Sequence, residues 1–430
     1  MRIAVVGSGI AGNAAAWALS ERHDVVVYER ELRPGGHSHT VDIDYDGVPI
    51  AVDTGFIVYN ELNYPNLTAL FAELGVVTRR SEMSFGLSLD GGALEWSGKT
   101  LGTLFAQRRN LVALSYLWML REVLRFNRLC REDLAAGVLS GLSLGAWLDR
   151  HRLSRRFRDD YLIPMAAAIW STPSIHVLDF PAESFIAFFD NHRLIDAHRP
   201  LWRTVDGGSR AYVERLTRRF RDGIRLGSEV SRIERDDRGV TIVDARGERD
   251  RFDQVVVACH SDDALRLLAK PSDAEREILS AIRYRPNDVV LHRDERLMPK
   301  RRAVWSAWNY LGTRNSAAAG RRDVAVTYWM NELQGIDRRT PLFITLNPPI
   351  EPEPSKIFRR FSYSHPQYDA AALAAQRRLP SVQGLGRTWF CGAWTGYGFH
   401  EDGLTSGLDV AERLGCSIPW RDPVFAEAAE

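Results

Sequence analysis

The apolar run Ile3 to Val6 leads directly into Gly7-Ser8-Gly9-Ile10-Ala11-Gly12, and an Ala-rich stretch follows as far as Leu19. An apolar strand, glycines at this spacing and a helix start constrain the N-terminal region to a strand-turn-helix unit shaped for a pyrophosphate. Gly7 permits the tight turn, Gly9 lets the backbone approach the phosphates, and Gly12 lets the helix pack closely on the strand. The helix N-terminus supplies free N–H groups and the positive end of its dipole. A second apolar run, Val25 to Tyr28, ends at Glu29, where a carboxylate is placed to accept the ribose hydroxyls of an adenosine.

Further segments decide which dinucleotide is meant. Glu29-Arg30-Glu31-Leu32-Arg33-Pro34-Gly35-Gly36-His37 carries a second glycine pair, and Asp53-Thr54-Gly55-Phe56 follows a strand end. Midway, Gly227-Ser228-Glu229-Val230 precedes a hairpin, and Gln254-Val255-Val256-Val257-Ala258-Cys259 reads as a buried strand. Near the end, Arg387-Thr388-Trp389-Phe390-Cys391-Gly392-Ala393 is a strand ending in small residues, and Glu401-Asp402-Gly403-Leu404-Thr405-Ser406-Gly407 opens a last helix.

In this order the segments resemble the flavin amine oxidase superfamily, which includes monoamine oxidases, protoporphyrinogen oxidases and carotenoid desaturases. The resemblance implies that Gly7 to Gly12, Glu29 and Arg30 hold the adenosine diphosphate part of FAD. It implies that Arg33, Gly35 and Gly36 flank the phosphates and ribityl chain, with His37 where the family often has an arginine. Thr54, Gly55 and Phe56 then pass the flavin, Val230 matches the adenine-contacting valine, and Ala258 lies on the strand returning to the dinucleotide. Gly392, Trp394, Gly403, Leu404 and Ser406 belong to the strand, loop and helix that bring a second helix N-terminus to the pyrimidine side of the isoalloxazine. The fold class expected is α/β with α+β: a Rossmann-like FAD-binding domain, discontinuous in sequence, with a substrate domain of mixed sheet plus a helical insertion.

The FAD segments divide the chain. Residues 1–63, 201–265 and 377–430 are assigned to the FAD-binding domain, 64–200 to a helical part of the substrate domain, and 266–376 to its strand-rich part. Helices are expected over 67–74, 101–129, 143–151 and 154–169, and strands over 288–292, 303–310, 324–330 and 341–346. A chain of 430 residues has room for two domains, and its 45% hydrophobic and 26% charged residues are ordinary for a globular protein. The formal net charge of +1 argues against a nucleic-acid partner. Four scattered cysteines suit a reduced, cytoplasmic setting, and Cys391 reads as a buried thiol rather than a covalent flavin tether. No run is long enough for a transmembrane helix, so membrane contact, if present, is peripheral.

On the substrate side, Trp394, Tyr397, Phe399, His400 and Glu401 form a loop that should face the isoalloxazine. Aromatic walls there make a slot for an apolar substrate. His400 or Glu401, with Tyr397 beside them, are the candidate catalytic groups; the alternative is that Glu401 caps the final helix and His400 bonds backbone. A second constellation is Pro164 with Trp170 and Ser171, which serves a cavity or plain packing equally well. Residues 101–129 mix Leu111, Leu114, Leu117, Trp118 and Leu124 with Arg108, Arg109, Arg121 and Arg125. They read as a core helix with arginines on its wet side, the other reading being a helix lying on an anionic bilayer. His37 and His39 have no completing ligands nearby in sequence, and no metal is expected.

Gly55-Phe56-Ile57-Val58-Tyr59-Asn60, Asn63-Tyr64-Pro65-Asn66-Leu67, the 303–310 stretch and Gly396-Tyr397-Gly398-Phe399-His400-Glu401-Asp402-Gly403 resemble, more narrowly, bacterial FAD oxidoreductases encoded beside cyclopropane-fatty-acid synthases. This implies redox chemistry on an unsaturated or methyl-branched acyl chain of a membrane lipid, with a lipid methyltransferase or cyclopropane synthase as partner. Many amine oxidases place a lysine near the flavin on the strand that here reads Asn287 to His292, and this stretch has none. An amine oxidase and a redox-silent, flavin-bound partner of a methyltransferase remain the alternatives.

Overall fold

The computed structural model describes residues 1–170, 174–196, 200–313 and 325–421; Ser171 and Val324, named above, lie outside the described residues. A five-stranded parallel sheet collects strands from the start, middle and end of the chain, in the order Ile224–Arg225, Asp24–Tyr28, Arg2–Val6, Gln254–Val257, Thr388–Phe390. Its inner strands are continuous Val and Ile runs because both faces are covered. The first helix, Ile10–Leu19, is buried along its whole length, which is why it is built from alanine rather than from an amphipathic pattern.

The last helix, His400–Arg413, crosses the first at glycines. A Cβ on Gly403 would stand 2.8 Å from Ile10 Cγ2, and one on Gly407 would run into the Ala11 carbonyl. Gly12 obeys the same constraint toward the strand side, since a Cβ there would collide with the Gly7 carbonyl.

A seven-stranded mixed sheet forms the second layer, in the order Ile357–Gln367, Arg283–His292, Phe343–Leu346, Ala325–Trp329, Trp308–Gly312, Phe85–Leu89, Leu94–Ser97. Within the stretch 64–200, between the helices expected at 67–74 and 101–129, the hairpin 85–97 joins the sheet edge, its strand Phe85–Leu89 parallel to Trp308–Gly312. The strand Ile357–Gln367, absent from the sequence reading, pairs along the whole of Arg283–His292. Its outward Arg359 and Arg360 hide the alternation.

Three other expectations change. The single helix over 101–129 is broken into Leu101–Leu104, a tight turn Arg108–Leu111 and the helix Leu114–Ala136. Gln107 interrupts it by turning its amide inward, accepting from the Glu95 N–H and donating to the Gly92 carbonyl. The strand over 303–310 begins only at Trp308, because the Asn309 side chain accepts the Ser306 N–H in a turn. In the helix over 154–169, a wide π-type turn at Arg158–Leu162 precedes Ile163–Trp170. Pro164 has no N–H for the Asp160 carbonyl, which accepts the Trp96 indole N–H instead, at 3.2 Å.

The helix crossing yields a stability prediction. Gly407→Val should destabilise the protein by about 2–3 kcal/mol through overpacking, whereas Gly102→Ala, where the nearest atom is 3.6 Å away, should change it by less than about 0.5 kcal/mol. Urea unfolding of both variants checks this; equal midpoints would refute the crossing.

Candidate functional site

The carboxyl ends of the parallel strands form the first part of the site, where open α/β sheets bind ligands. Gly7 has φ +101° and a Cβ on it would lie 2.9 Å from the Ala258 oxygen, so the turn and the returning strand are in backbone contact. Gly9 differs: a Cβ there would meet nothing within 4 Å. That open space lies before the N-terminus of the first helix, whose unpaired N–H groups suit a pyrophosphate. Gly36 closes over it from the other side, its Cβ position 3.0 Å from Gly9 Cα.

Glu29 stands at the end of the second strand and braces this turn. One oxygen accepts from the Ser8 N–H at 2.9 Å and the Ser8 hydroxyl at 2.5 Å, and the other accepts from the Glu31 N–H at 2.9 Å. A carboxylate has acceptor sites to spare for a ribose. Arg30 is exposed beside it. Arg33 donates to the Gly36 carbonyl at 3.0 Å, while its Nη1 is buried without a protein partner. His37 Nε2 is also buried and unpartnered. An FAD fits these residues: orphaned donors and an open glycine cradle are what a bound diphosphate and ribityl chain would complete. Val230 is buried at the head of its strand, and the Ala258 N–H bonds the Val6 carbonyl.

Beyond the phosphate cradle the wall is histidine and tyrosine. The His37 ring lies 5.0 Å from Tyr363, 6.0 Å from His365 and 6.4 Å from His260, and the His260 ring stacks on Tyr284 at 4.2 Å. Burial lowers the pKa of His37 to about 3 and that of His365 to about 4, so both are neutral at neutral pH. Thr54 accepts or donates to the Tyr363 hydroxyl at 2.8 Å, and Gly55 sits against the His37 carbonyl with no room for a side chain. His39 Nδ1 is taken up by the same tyrosine at 2.9 Å.

The aromatic loop completes the site. Phe56 stacks on the His400 ring at 3.9 Å, and His400 Nε2 lies 2.6 Å from the Tyr212 hydroxyl and 3.2 Å from Ser38. Burial pushes the His400 pKa down to about 3. Its partners are side chains, not the backbone. Tyr397 is half-buried 5.6 Å from Phe188, and Phe399 stacks on Phe188 at 5.3 Å. Trp394 is deeply buried, its indole N–H donating to the Cys259 carbonyl at 3.1 Å. Ser406 ties Gly392 to the last helix, accepting its N–H at 2.9 Å, and Leu404 is fully buried. Cys391 is fully buried, and burial raises its thiol pKa.

The carboxylates here are committed to holding helices. Glu401 accepts from the Asn66 and Leu67 N–H groups, each at 2.9 Å, and so caps the helix Pro65–Glu73 rather than its own. Asp402 caps the final helix through the Phe399 N–H at 2.8 Å, and burial raises its pKa to about 6. Asp53 accepts the Ser209 N–H and hydroxyl, the Thr40 hydroxyl and the Gln334 amide.

A glycine cradle at the strand ends, a second helix start at the aromatic loop and unpartnered donors between them define an FAD-dependent oxidoreductase. Residues 10–335 match the family model of the flavin containing amine oxidoreductases, and the chain belongs to that family. Among solved structures it is similar to a putrescine oxidase double mutant (TM-score 0.67, 16% identity, covering 96% of this chain and 99% of that one). It is also similar to a CLA-producing fatty acid isomerase from P. acnes (0.69, 16%, 96% and 98%). A third is cyclohexylamine oxidase from Brevibacterium oxydans IH-35A (0.64, 17%, 96% and 99%). No curated protein matches the chain.

Sequence reasoning missed Tyr212, His260, Tyr284, Tyr363 and His365. His260 was findable, since it follows the apolar strand at its carboxyl end. Tyr363 and His365 share one face of Ile357–Gln367, a strand whose sequence carries no clear alternation.

Two outcomes follow from this geometry. Gly9→Thr, a residue comparable to glycine as an N-cap, should leave the flavin-free protein within about 0.5 kcal/mol of its stability while weakening FAD binding at least about tenfold; unchanged FAD retention on dialysis would place the phosphates elsewhere. His37 and His365 are held below their ordinary 6.5, so the folded chain binds fewer protons than the unfolded one, and stability is lost as pH falls from 6.5 toward 4. Thermal melting of the flavin-free protein should decline over that window, and less steeply in the His37→Gln, His365→Gln double variant.

Proposed function

We propose that this enzyme oxidises an apolar substrate, an unsaturated or methyl-branched fatty acyl chain of a membrane lipid, by hydride transfer to FAD. The observation that carries the reading is the composition of the wall: neutral histidines and aromatic rings, with Asp53, Glu401 and Asp402 all engaged by backbone N–H groups. An ammonium substrate desolvated here would find none of these carboxylates free, at a cost of several kcal/mol. An acyl chain pays no such cost and gains from contact with rings. The four lysines support the same reading: Lys99 pairs with Glu82 and Lys356 with Glu353, while Lys270 and Lys300 are exposed.

When bound, FAD supplies the two-electron acceptor, later reoxidised by oxygen or another acceptor. The chain's own part is to hold the diphosphate at Gly7 to Gly12 and Gly36, to present the rings of Tyr397 and Phe399, and to exclude water from them. His400 orients the Tyr212 hydroxyl; with a pKa near 3 it is a weak base at neutral pH. The resemblance to oxidoreductases encoded beside cyclopropane-fatty-acid synthases supports a lipid methyltransferase or cyclopropane synthase as partner.

The second reading is an amine oxidase, favoured by the likeness to putrescine and cyclohexylamine oxidases and by the capacity of aromatic faces to hold a cation. Anaerobic mixing of the yellow holoenzyme with phospholipids bearing unsaturated or methyl-branched chains should bleach the flavin, and a panel of primary amines should not. Bleaching by an amine alone would transfer the assignment to the second reading. Reduction by neither would leave a redox-silent partner of the methyltransferase.

A further inference from the structure

The helix Leu114–Ala136 buries one face and leaves an apolar one in water. Tyr116, Met119, Phe126, Leu129 and Cys130 point inward, at the spacing of a core stripe. On the opposite face Leu114 is 82% exposed, Trp118 54% and Leu124 72%, with Leu117 between them, and Val112 in the preceding turn is 81% exposed. The outward face of the helix thus reads Leu114, Leu117, Trp118, Arg121, Leu124, Arg125 at intervals of three and four. A soluble surface rarely gathers large apolar residues this way without a partner.

Charge identifies the partner. Arg108, Arg109, Arg121 and Arg125 surround the apolar residues, and among the described residues none has a carboxylate within ion-pair distance. From residue 100 to residue 130 the one acid is Glu122, which is buried and accepts the Ser154 N–H at 2.8 Å. The Arg121 guanidinium lies over the Trp118 ring at 5.1 Å, a pairing of an aromatic ring and a cation at one level that suits the headgroup region of a bilayer. Beside it a groove of about 550 Å³ is lined by Leu94, Val112 and Ala113 together with Arg109, Asn110 and Arg156. Arg109 donates to the Ala93 carbonyl and, among the described residues, has no acid partner, so the groove sets an uncompensated guanidinium beside apolar side chains, a pairing that suits a phospholipid headgroup.

No helix among the described residues is long and apolar enough to cross a membrane, so the contact is made from one side. We infer that residues 108–125 form a docking surface that lays this helix on an anionic bilayer, its leucines and Trp118 entering the interface and its arginines meeting lipid phosphates. The surface is independent of what the flavin oxidises.

Cosedimentation of the holoenzyme with vesicles tests it. Vesicles of phosphatidylglycerol should bind the enzyme and pure phosphatidylcholine vesicles should not, with binding falling as salt is raised. The Arg108→Gln, Arg121→Gln variant should lose about thirtyfold in partitioning, and Leu114→Ser with Trp118→Ser should lose binding at low salt, each keeping its flavin content and melting temperature. Failure to sediment with phosphatidylglycerol at low salt would overturn the inference, as would equal binding to both lipids or variants that bind like the parent. A concentration-dependent dimer abolished by Leu114→Ser with Trp118→Ser, with vesicles ignored, would assign the face to a second copy of the chain instead.

Discussion

The contact on which the site depends is the crossing of the first and last helices at Gly403 and Gly407. With no side chain at either position the last helix packs its backbone on the Ile10 side chain and the Ala11 carbonyl, and the first turns of both helices are brought side by side. Each first turn carries unpaired N–H groups and the positive end of a dipole. Two such ends opening at the carboxyl edge of one parallel sheet make a surface that favours an anionic, extended ligand. The residues at that edge, Gly7, Glu29, Ala258 and Gly392, lie in three distant parts of the chain, and the crossing is what holds the last part against the first.

The acids then act as clamps between those parts. Glu29 holds the glycine turn, Asp53 holds the start of the helix Arg210–Thr217, Glu401 holds the start of Pro65–Glu73, and Asp402 holds the start of the last helix. A carboxylate at a helix N-terminus is stabilised by the dipole and by charge-assisted hydrogen bonds. The consequence for chemistry is indirect: these four acids are spent on architecture, and the wall beyond the phosphate cradle is built from rings and neutral imidazole.

The legible part of the fold is the part set by backbone demands. Gly7, Gly9, Gly12 and Gly36 are where they are because a turn, a phosphate or another backbone must come close, and such demands leave a glycine in the sequence. The histidine and tyrosine wall carries no such mark. Tyr363 and His365 come from a strand whose alternation is masked by Arg359 and Arg360, and Tyr212 reaches His400 across 188 residues. Glu401 shows the limit most clearly. Its position one residue into the last helix suggests a cap for that helix, yet its partners are Asn66 and Leu67, and only tertiary structure can say which helix start an acid will find. Gln107 is the same case for the broken helix, its amide bound to strand residues rather than to its own turn.

The surface helix and the site are separated by one layer of rings. Phe126, on the inner face of Leu114–Ala136, lies 6.1 Å from Phe189, and Phe188 on the same intervening helix, Ala182–Asn191, meets Tyr397 and Phe399. Trp170 fills the same layer against Phe188 at 4.5 Å. Aromatic packing of this kind is close and directional, and Ala182–Asn191 is the element that touches both the outer helix and the aromatic loop. The helix with exposed leucines and arginines therefore stands one layer of rings from the aromatic loop, whereas the glycine cradle is built on the parallel sheet.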